Sequence, residues 1–192
     1  MHPAIIISGP AGVGKSTVAK ALQKQFPNLS ASVTYTSRPP RPGAKEDKQI
    51  FYVNAGEFEK MIADGEFLEW AKVHENYYGT HKAKTMALLE ANPVIFNIDV
   101  QGMLQLSKFF EPKNLITIFL LPESHEQMVA HIKRRGHIDP KDFANRLQSA
   151  ERELSQSGLF QHQIVNGEGK LAETVAKIAT IIQPCLAVVS GT

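Results

Sequence analysis

The apolar positions of this chain fall into short solid runs separated by stretches with helical spacing. Ala4 to Ser8 is too short for a helix and too continuously apolar for a half-exposed strand, so it reads as a buried strand. Val94 to Asp99, which ends in a carboxylate, and Leu115 to Leu121 read the same way. Further extended pieces are predicted at Ser32 to Thr36, Ile50 to Val53, Phe67 to Val73, Asn76 to Thr80 and Gln163 to Asn166. Helical spacing is predicted over Val18 to Lys24, Ala55 to Ala63, His81 to Ala91, Ser124 to Arg134 and Leu171 to Ile182, with one more helix opened by Pro140. Asp64-Gly65 and Asn92-Pro93 supply stops, and Ser124 a cap. Strands alternating with helices, with solid apolar runs in the central strands, predict an α/β fold of three layers in which helices cover both faces of a parallel sheet. Ligands are then expected at the carboxyl ends of the strands.

The first buried strand runs directly into Gly9-Pro10-Ala11-Gly12-Val13-Gly14-Lys15-Ser16-Thr17, which has the spacing of a phosphate-cradling P-loop. Its glycines let the backbone turn so that successive amides converge on a polyphosphate at a helix start. Lys15 is placed to reach the β- and γ-phosphates, and the Ser16 hydroxyl to meet the Mg²⁺ that bridges them. The strand before and the helix after are the context this motif requires. By itself it indicates a bound nucleoside triphosphate and leaves the reaction open.

Length and composition narrow the picture. At 192 residues the chain suits one well-buried unit. A formal net charge of +2 is too even for a nucleic-acid coat. Cys185 is the only cysteine, which excludes an internal disulfide and a multi-cysteine metal site and suits a reducing compartment. No apolar run approaches membrane-spanning length, so a cytoplasmic protein acting on small molecules is expected, with no nucleic-acid or membrane partner.

Two other places carry candidate chemistry. In Ser37-Arg38-Pro39-Pro40-Arg41-Pro42-Gly43, three prolines stiffen an extended backbone that carries two guanidinium groups, which is either a solvated basic turn or a second phosphate site. Glu69 lies among large apolar neighbours on an extended piece, so its carboxylate is either at an exposed edge or engaged by a ligand. His2, His74, His81, His125, His137 and His162 show no metal-ligand spacing and read as surface or structural residues.

Taken together, Gly9 to Thr17, Thr34 to Arg41, Phe67 to Trp70, Asn76 to Thr80, Ile98 to Gly102 and Arg135 to Arg146 resemble, in order and spacing, the successive motifs of the guanylate kinase family. The resemblance spans nearly the whole chain. It implies a P-loop kinase core, a small β-rich GMP-binding subdomain and a helical lid within one domain. The core would comprise residues 1–33, 81–123 and 155–192, the subdomain 34–80 and the lid 124–154. It also implies transfer of the γ-phosphoryl group of ATP to GMP, with Mg²⁺ as cofactor, by a monomer or homodimer. By the same resemblance Thr34, Arg38, Arg41, Glu69, Tyr78, Thr80, Asp99 and Arg146 bind GMP. The loop from Gly9 to Thr17, with Arg135 and Asn166, binds ATP. Lys15, Arg38, Arg135 and Arg146 carry the transfer, and Ser16 and, through water, Asp99 serve the metal. Guanine presents two donors, N1–H and the exocyclic amine, to the two acceptor oxygens of Glu69, while Thr34 and Thr80 offer hydroxyls to O6 or N7.

Three positions depart from the family pattern: Ile50 in place of a phosphate-binding Tyr, His131 in place of a lid Arg, and Asn97 in place of the first Asp of an Asp-x-Asp pair. The lost hydroxyl is expected to weaken acceptor binding by roughly 1.5–3 kcal/mol unless Tyr52, on the same strand face, substitutes. His131 matches an arginine only when protonated, so lid function is expected to vary between about pH 5 and 8. Asn97 is expected to matter least if Asp99 carries the metal role. The rival readings are a kinase of another phosphorylated acceptor, such as a sugar phosphate, and a catalytically dead interaction domain. Glu69 and Thr80 speak against the first, and Gly14, Lys15 and Ser16 against the second. The missing Asn-Lys-x-Asp signature speaks against a switch GTPase.

Overall fold

The computed structural model describes residues 1–40, 49–73, 75–133 and 139–187. In chain order the first half is β1 (Ala4–Ser8), α1 (Lys15–Gln25), β2 (Ser30–Ala31), β3 (Thr34–Thr36), β4 (Ile50–Tyr52), α2 (Ala55–Ala63), β5 (Phe67–Val73), β6 (Asn76–His81) and α3 (Lys82–Ala91). The second half is β7 (Val94–Asn97), α4 (Val100–Leu106), β8 (Leu115–Leu121), α5 (His125–Lys133), α6 (Pro140–Ser155), β9 (His162–Val165) and α7 (Leu171–Ala187).

Five of these strands form a parallel sheet in the order β2-β7-β1-β8-β9. The solid apolar runs are explained by its two covered faces. Ile5, Ile7, Ile95, Ile118 and Leu120 bury with Val18 and Leu22 of α1 and Ile178 and Ile182 of α7. The alternate residues Ala4, Ile6, Phe96 and Phe119 bury on the opposite side with Leu89 of α3 and Met103 and Leu106 of α4. Along β1 and β8 neither face reaches water, so period-2 polarity is absent there, and the architecture is the expected three layers. Buried Thr117, the polar exception in β8, exchanges hydrogen bonds with Gln161, its N–H donating to Oε1 at 2.9 Å and its Oγ1 accepting from the Gln161 N–H at 3.0 Å.

A second sheet of four strands has the order β4-β3-β6-β5, with β3 and β4 parallel and the other pairs antiparallel. Helix α2 covers one of its faces. Asn54 and Glu57 form a reciprocal capping box at the helix start, and fully buried Phe58 stacks on Phe67 at 4.5 Å and Tyr77 at 5.2 Å.

One expected strand is corrected: Ser32 to Thr36 is a hand-off between sheets. The Ser32 N–H still bonds Ile95 O in the parallel sheet, the Val33 N–H turns to Thr85 Oγ1 while its carbonyl accepts from the His81 N–H of β6, and from Thr34 the chain pairs residue by residue in the second sheet. Alternation continues through the junction, which is why it reads as one strand. Helix α4 is also an addition: the strand expected to reach Asp99 stops at Asn97, and Asp99 caps a helix too short to show a period.

Helices α5 and α6 pack on each other through Met128, Ile132 and Ala150. Ser124 Oγ accepts from the Gln127 N–H at 3.2 Å, the cap the sequence predicts, and α6 opens at Pro140 as expected, with Asp139 just before it accepting from the Lys141 and Asp142 N–H groups.

Candidate functional site

The loop after β1 is packed closely against its neighbours. Gly14 sits in the left-handed region (φ 96°) as the cap of α1, and a Cβ there would lie 2.6 Å from Asn166 Nδ2. A Cβ on Gly9 would lie 2.5 Å from Leu120 O, so any side chain would push the loop off the sheet. The Lys15 ammonium folds over the loop and donates to Gly9 O and, at 3.2 Å, to Pro10 O. Its charge thus sits on the loop's own carbonyls, where a polyphosphate would draw it outward. Helix α1 has no acidic residue in its first turn to compete for an anion, and Lys24 complements its far end.

Asn97 ends β7 beside β1 and donates from Nδ2 to Ser16 Oγ at 2.9 Å. Asp99, two residues on, instead caps α4, its Oδ1 accepting from the Gly102 N–H at 2.8 Å. The residue meeting the Ser16 hydroxyl is therefore the one ranked least from sequence. Among the described residues no group of three or more His, Cys, Asp or Glu side chains could hold a metal ion. A hydroxyl and an amide with no carboxylate cage fit Mg²⁺ that takes most of its ligands from phosphates and water. Asn166 completes the loop's far side, its Nδ2 donating to Val13 O at 2.7 Å while its buried Oδ1 has no partner among the described residues.

The second sheet presents the other half of the site. Cross-strand register puts Ile50, Thr34, Thr80 and Glu69 in one row, with Tyr52, Thr36, Tyr78 and Ala71 in the next row of the same face. Glu69 reaches this row through a bulge. Phe67 pairs with His81 and Glu69 with Thr80, so Leu68 is the extra residue. An unbroken ladder would have put Leu68 opposite Thr80 and turned Glu69 to the other face. The period of the sequence cannot show this.

Glu69 is only 5% exposed and its Oε1 accepts from Thr80 Oγ1 at 2.6 Å. Burial pushes the carboxyl up to about 7, the Thr80 hydrogen bond opposing and the nearby Asp99 charge adding to the rise. Its other oxygen faces α4, where a Cβ on Gly102 would lie 2.6 Å from Oε2 and 3.1 Å from Cδ. Gly102 was recognisable in sequence only as a glycine at the strand tip; its work is to leave room for this carboxylate. We expect Gly102→Ala to displace Glu69, raising KM for the acceptor about tenfold or more while leaving KM for the nucleoside triphosphate within twofold, as steady-state kinetics would show.

Arg38 follows β3, and its N–H is anchored to Thr36 Oγ1 at 3.1 Å. Arg41 and Arg135 lie outside the described residues. Arg146 on α6 pairs loosely with Asp142 at 3.4 Å, and its buried Nε has no partner among the described residues, a donor arrangement suited to an incoming anion. His131 on α5 packs against the loop, its Cβ lying 2.8 Å from where a Cβ of Gly12 would stand.

The family model described as "Guanylate kinase" matches residues 1–184. The chain is 38% identical to the guanylate kinases of Gloeobacter violaceus and of Caldanaerobacter subterraneus subsp. tengcongensis, each over 179 residues that cover 93% of this chain and 85% of the relative. The crystal structure of guanylate kinase from Anaplasma phagocytophilum superposes with a TM-score of 0.75 at 27% identity, covering 96% of this chain and 86% of that one.

Proposed function

The chain belongs to the guanylate kinase family, and we propose that its site moves the γ-phosphoryl group of ATP to GMP, giving ADP and GDP, with Glu69 reading the guanine. The observation that carries this reading is the stretch from Asn97 to Gly102, which touches both halves of the site. Asn97 bonds Ser16 of the phosphate loop, and Gly102 packs on the buried Glu69 carboxylate. A donor and an acceptor nucleotide are thereby referenced to one short piece of backbone, as in-line transfer requires.

In the donor half, the amides of Gly9 to Thr17 and Lys15 hold the ATP phosphates, and Asn166 faces the loop from its other side. Mg²⁺, held by Ser16 with Asn97 or Asp99 in its water shell, supplies neutralising charge at the β- and γ-phosphates when bound. In the acceptor half, the row of Thr34, Thr80 and Glu69 takes the base. Thr80 already donates to one carboxylate oxygen, which orients the carboxylate for the two guanine donors. Arg38, Arg41 and Tyr78 hold the acceptor phosphate. Tyr52 lies beside Thr36 in the same row as Tyr78, which supports its replacing the hydroxyl missing at Ile50. Arg135 and Arg146 add charge over the transferring group as residues 124–154 close, excluding water. No strong base is needed, because positioning and charge do most of the work in phosphoryl transfer. Residues 34–80 form the GMP-binding part on this reading, and residues 1–33, 81–123 and 155–192 the core. Among the described residues no helix is long and apolar enough to cross a membrane.

A coupled assay of ADP release across GMP, dGMP, AMP, UMP and sugar phosphates tests the assignment. A preference of two decades or more for GMP over AMP and the sugar phosphates is expected; equal rates would overturn it.

A further inference from the structure

The edge of the second sheet that carries Glu69 is closed by a side chain with no role assigned so far. Strand β5 is the outermost strand of its sheet, so the outward-facing N–H and C=O groups along it have no strand partner among the described residues. At Trp70, immediately after Glu69, both groups are taken by Gln105 of α4. The Trp70 N–H donates to Gln105 Oε1 at 3.2 Å, and Gln105 Nε2 donates to Trp70 O at 2.8 Å. The primary amide of Gln105 thus completes a ladder step in the place of a peptide.

The location of this step matters because of the bulge. One residue before Glu69, the ladder to β6 carries the extra Leu68, so pairing with β6 leaves slack at the position where the carboxylate must be fixed. Asp99, Gly102 and Gln105 are spaced three apart and share a face of the α4 turn. Gly102 sets how closely Glu69 approaches the helix, and Gln105 fixes the strand lengthwise against it. Helix α4 in turn is anchored to the parallel sheet through Met103 and Leu106.

We infer that Gln105 is a positioning residue for base recognition, its amide clamping Trp70 so that the Glu69 carboxylate is held at the depth and angle guanine requires. The inference rests on Glu69 being the guanine reader and adds what keeps it in place. Because both bonds lie in a solvent-accessible part of the edge, water can satisfy Trp70 once they are removed. The consequence therefore falls on recognition, with little effect on folding.

The test is Gln105→Ala alongside Gln105→Met, which keeps the length of the side chain without its amide. Calorimetric binding of GMP and of IMP, which lacks only the exocyclic amine, is measured with KM for ATP and the melting temperature. Both variants are expected to weaken GMP about 5–20-fold and to narrow the gap between GMP and IMP, with KM for ATP within twofold of wild type and melting within a few degrees. Unchanged GMP affinity and an unchanged gap in both variants would overturn the inference. So would an equal loss for GMP, IMP and ATP, which is the signature of general loosening. If the wild-type protein itself binds GMP and IMP alike, the guanine reading fails instead, whatever the variants do.

Discussion

Replacing Glu69 by glutamine will lower kcat/KM for GMP about 10²–10⁴-fold and, at the same time, stabilise the empty protein at alkaline pH. The first effect follows from two hydrogen bonds to a charged acceptor, each worth about 1.5–3 kcal/mol, of which the glutamine amide keeps at most one while turning an N–H toward a guanine donor. The second follows from linkage. The carboxyl is pushed up to about 7 in the folded protein by burial, against about 4.5 for a glutamate in water. Between those values the folded state holds more protons than the unfolded state, so stability falls as pH rises from about 4.5 to 7 and stays at the lower level above it. The span corresponds to on the order of 3 kcal/mol, or about 6–12 °C in a domain of this size. Thermal melts of the wild type should therefore drop between pH 5 and 8 by that much more than those of Glu69→Gln, in which Oε1 still accepts from Thr80. Parallel profiles would show that the carboxyl is not the titrating group. GMP needs the ionised form, so its Kd for the wild type should also rise as pH falls below 7, by up to about tenfold per unit.

Lys15→Ala should cost about 10²–10³-fold in kcat/KM for ATP while leaving the Kd for GMP within about twofold. The ammonium rests on the loop's own carbonyls. Without ligand it donates to Gly9 and Pro10 carbonyls, and a polyphosphate offers it far stronger acceptors. Its loss removes a charged donor aimed at where charge develops in transfer, the kind of contact worth two to three decades. Lys15→Arg should not restore it, because a planar fork does not follow the path of a slim stem folded over its own loop. Calorimetry with ATP and with GMP separates the two halves of the site; a matching loss for GMP would mean that the substitution collapses the fold around α1.

Much of this was legible in the sequence, and what was missed has identifiable physical reasons. The solid apolar run of Leu115–Leu121 and the alternating run of Phe67–Val73 matched their strands end to end, and Ala55–Ala63 its helix, because burial on one or two faces writes a period into the chain. The phosphate loop was readable because its glycines answer to backbone geometry alone. The neighbours of Glu69 were not readable. The bulge at Leu68 changes which residue faces Thr80, and a pattern of faces holds no information about register. Helix α4 is a single short element after a strand, so Gly102 and Gln105 gave no period to mark them, although both bear on Glu69 or its neighbour. Asn97 looked expendable beside Asp99 because sequence gave no sign that Asp99 would be used as a cap. The readings of Arg41 and Arg135 lie outside the described residues.

That one buried carboxylate chooses the base is tested most directly by the ratio of Kd for IMP to Kd for GMP, taken by calorimetry at pH 8 for the wild type and for Glu69→Gln. The two ligands differ only in the exocyclic amine. A ratio of about 10–150 in the wild type, falling to near one in the variant, is the expected result. A ratio that survives the substitution would show that some other group reads guanine.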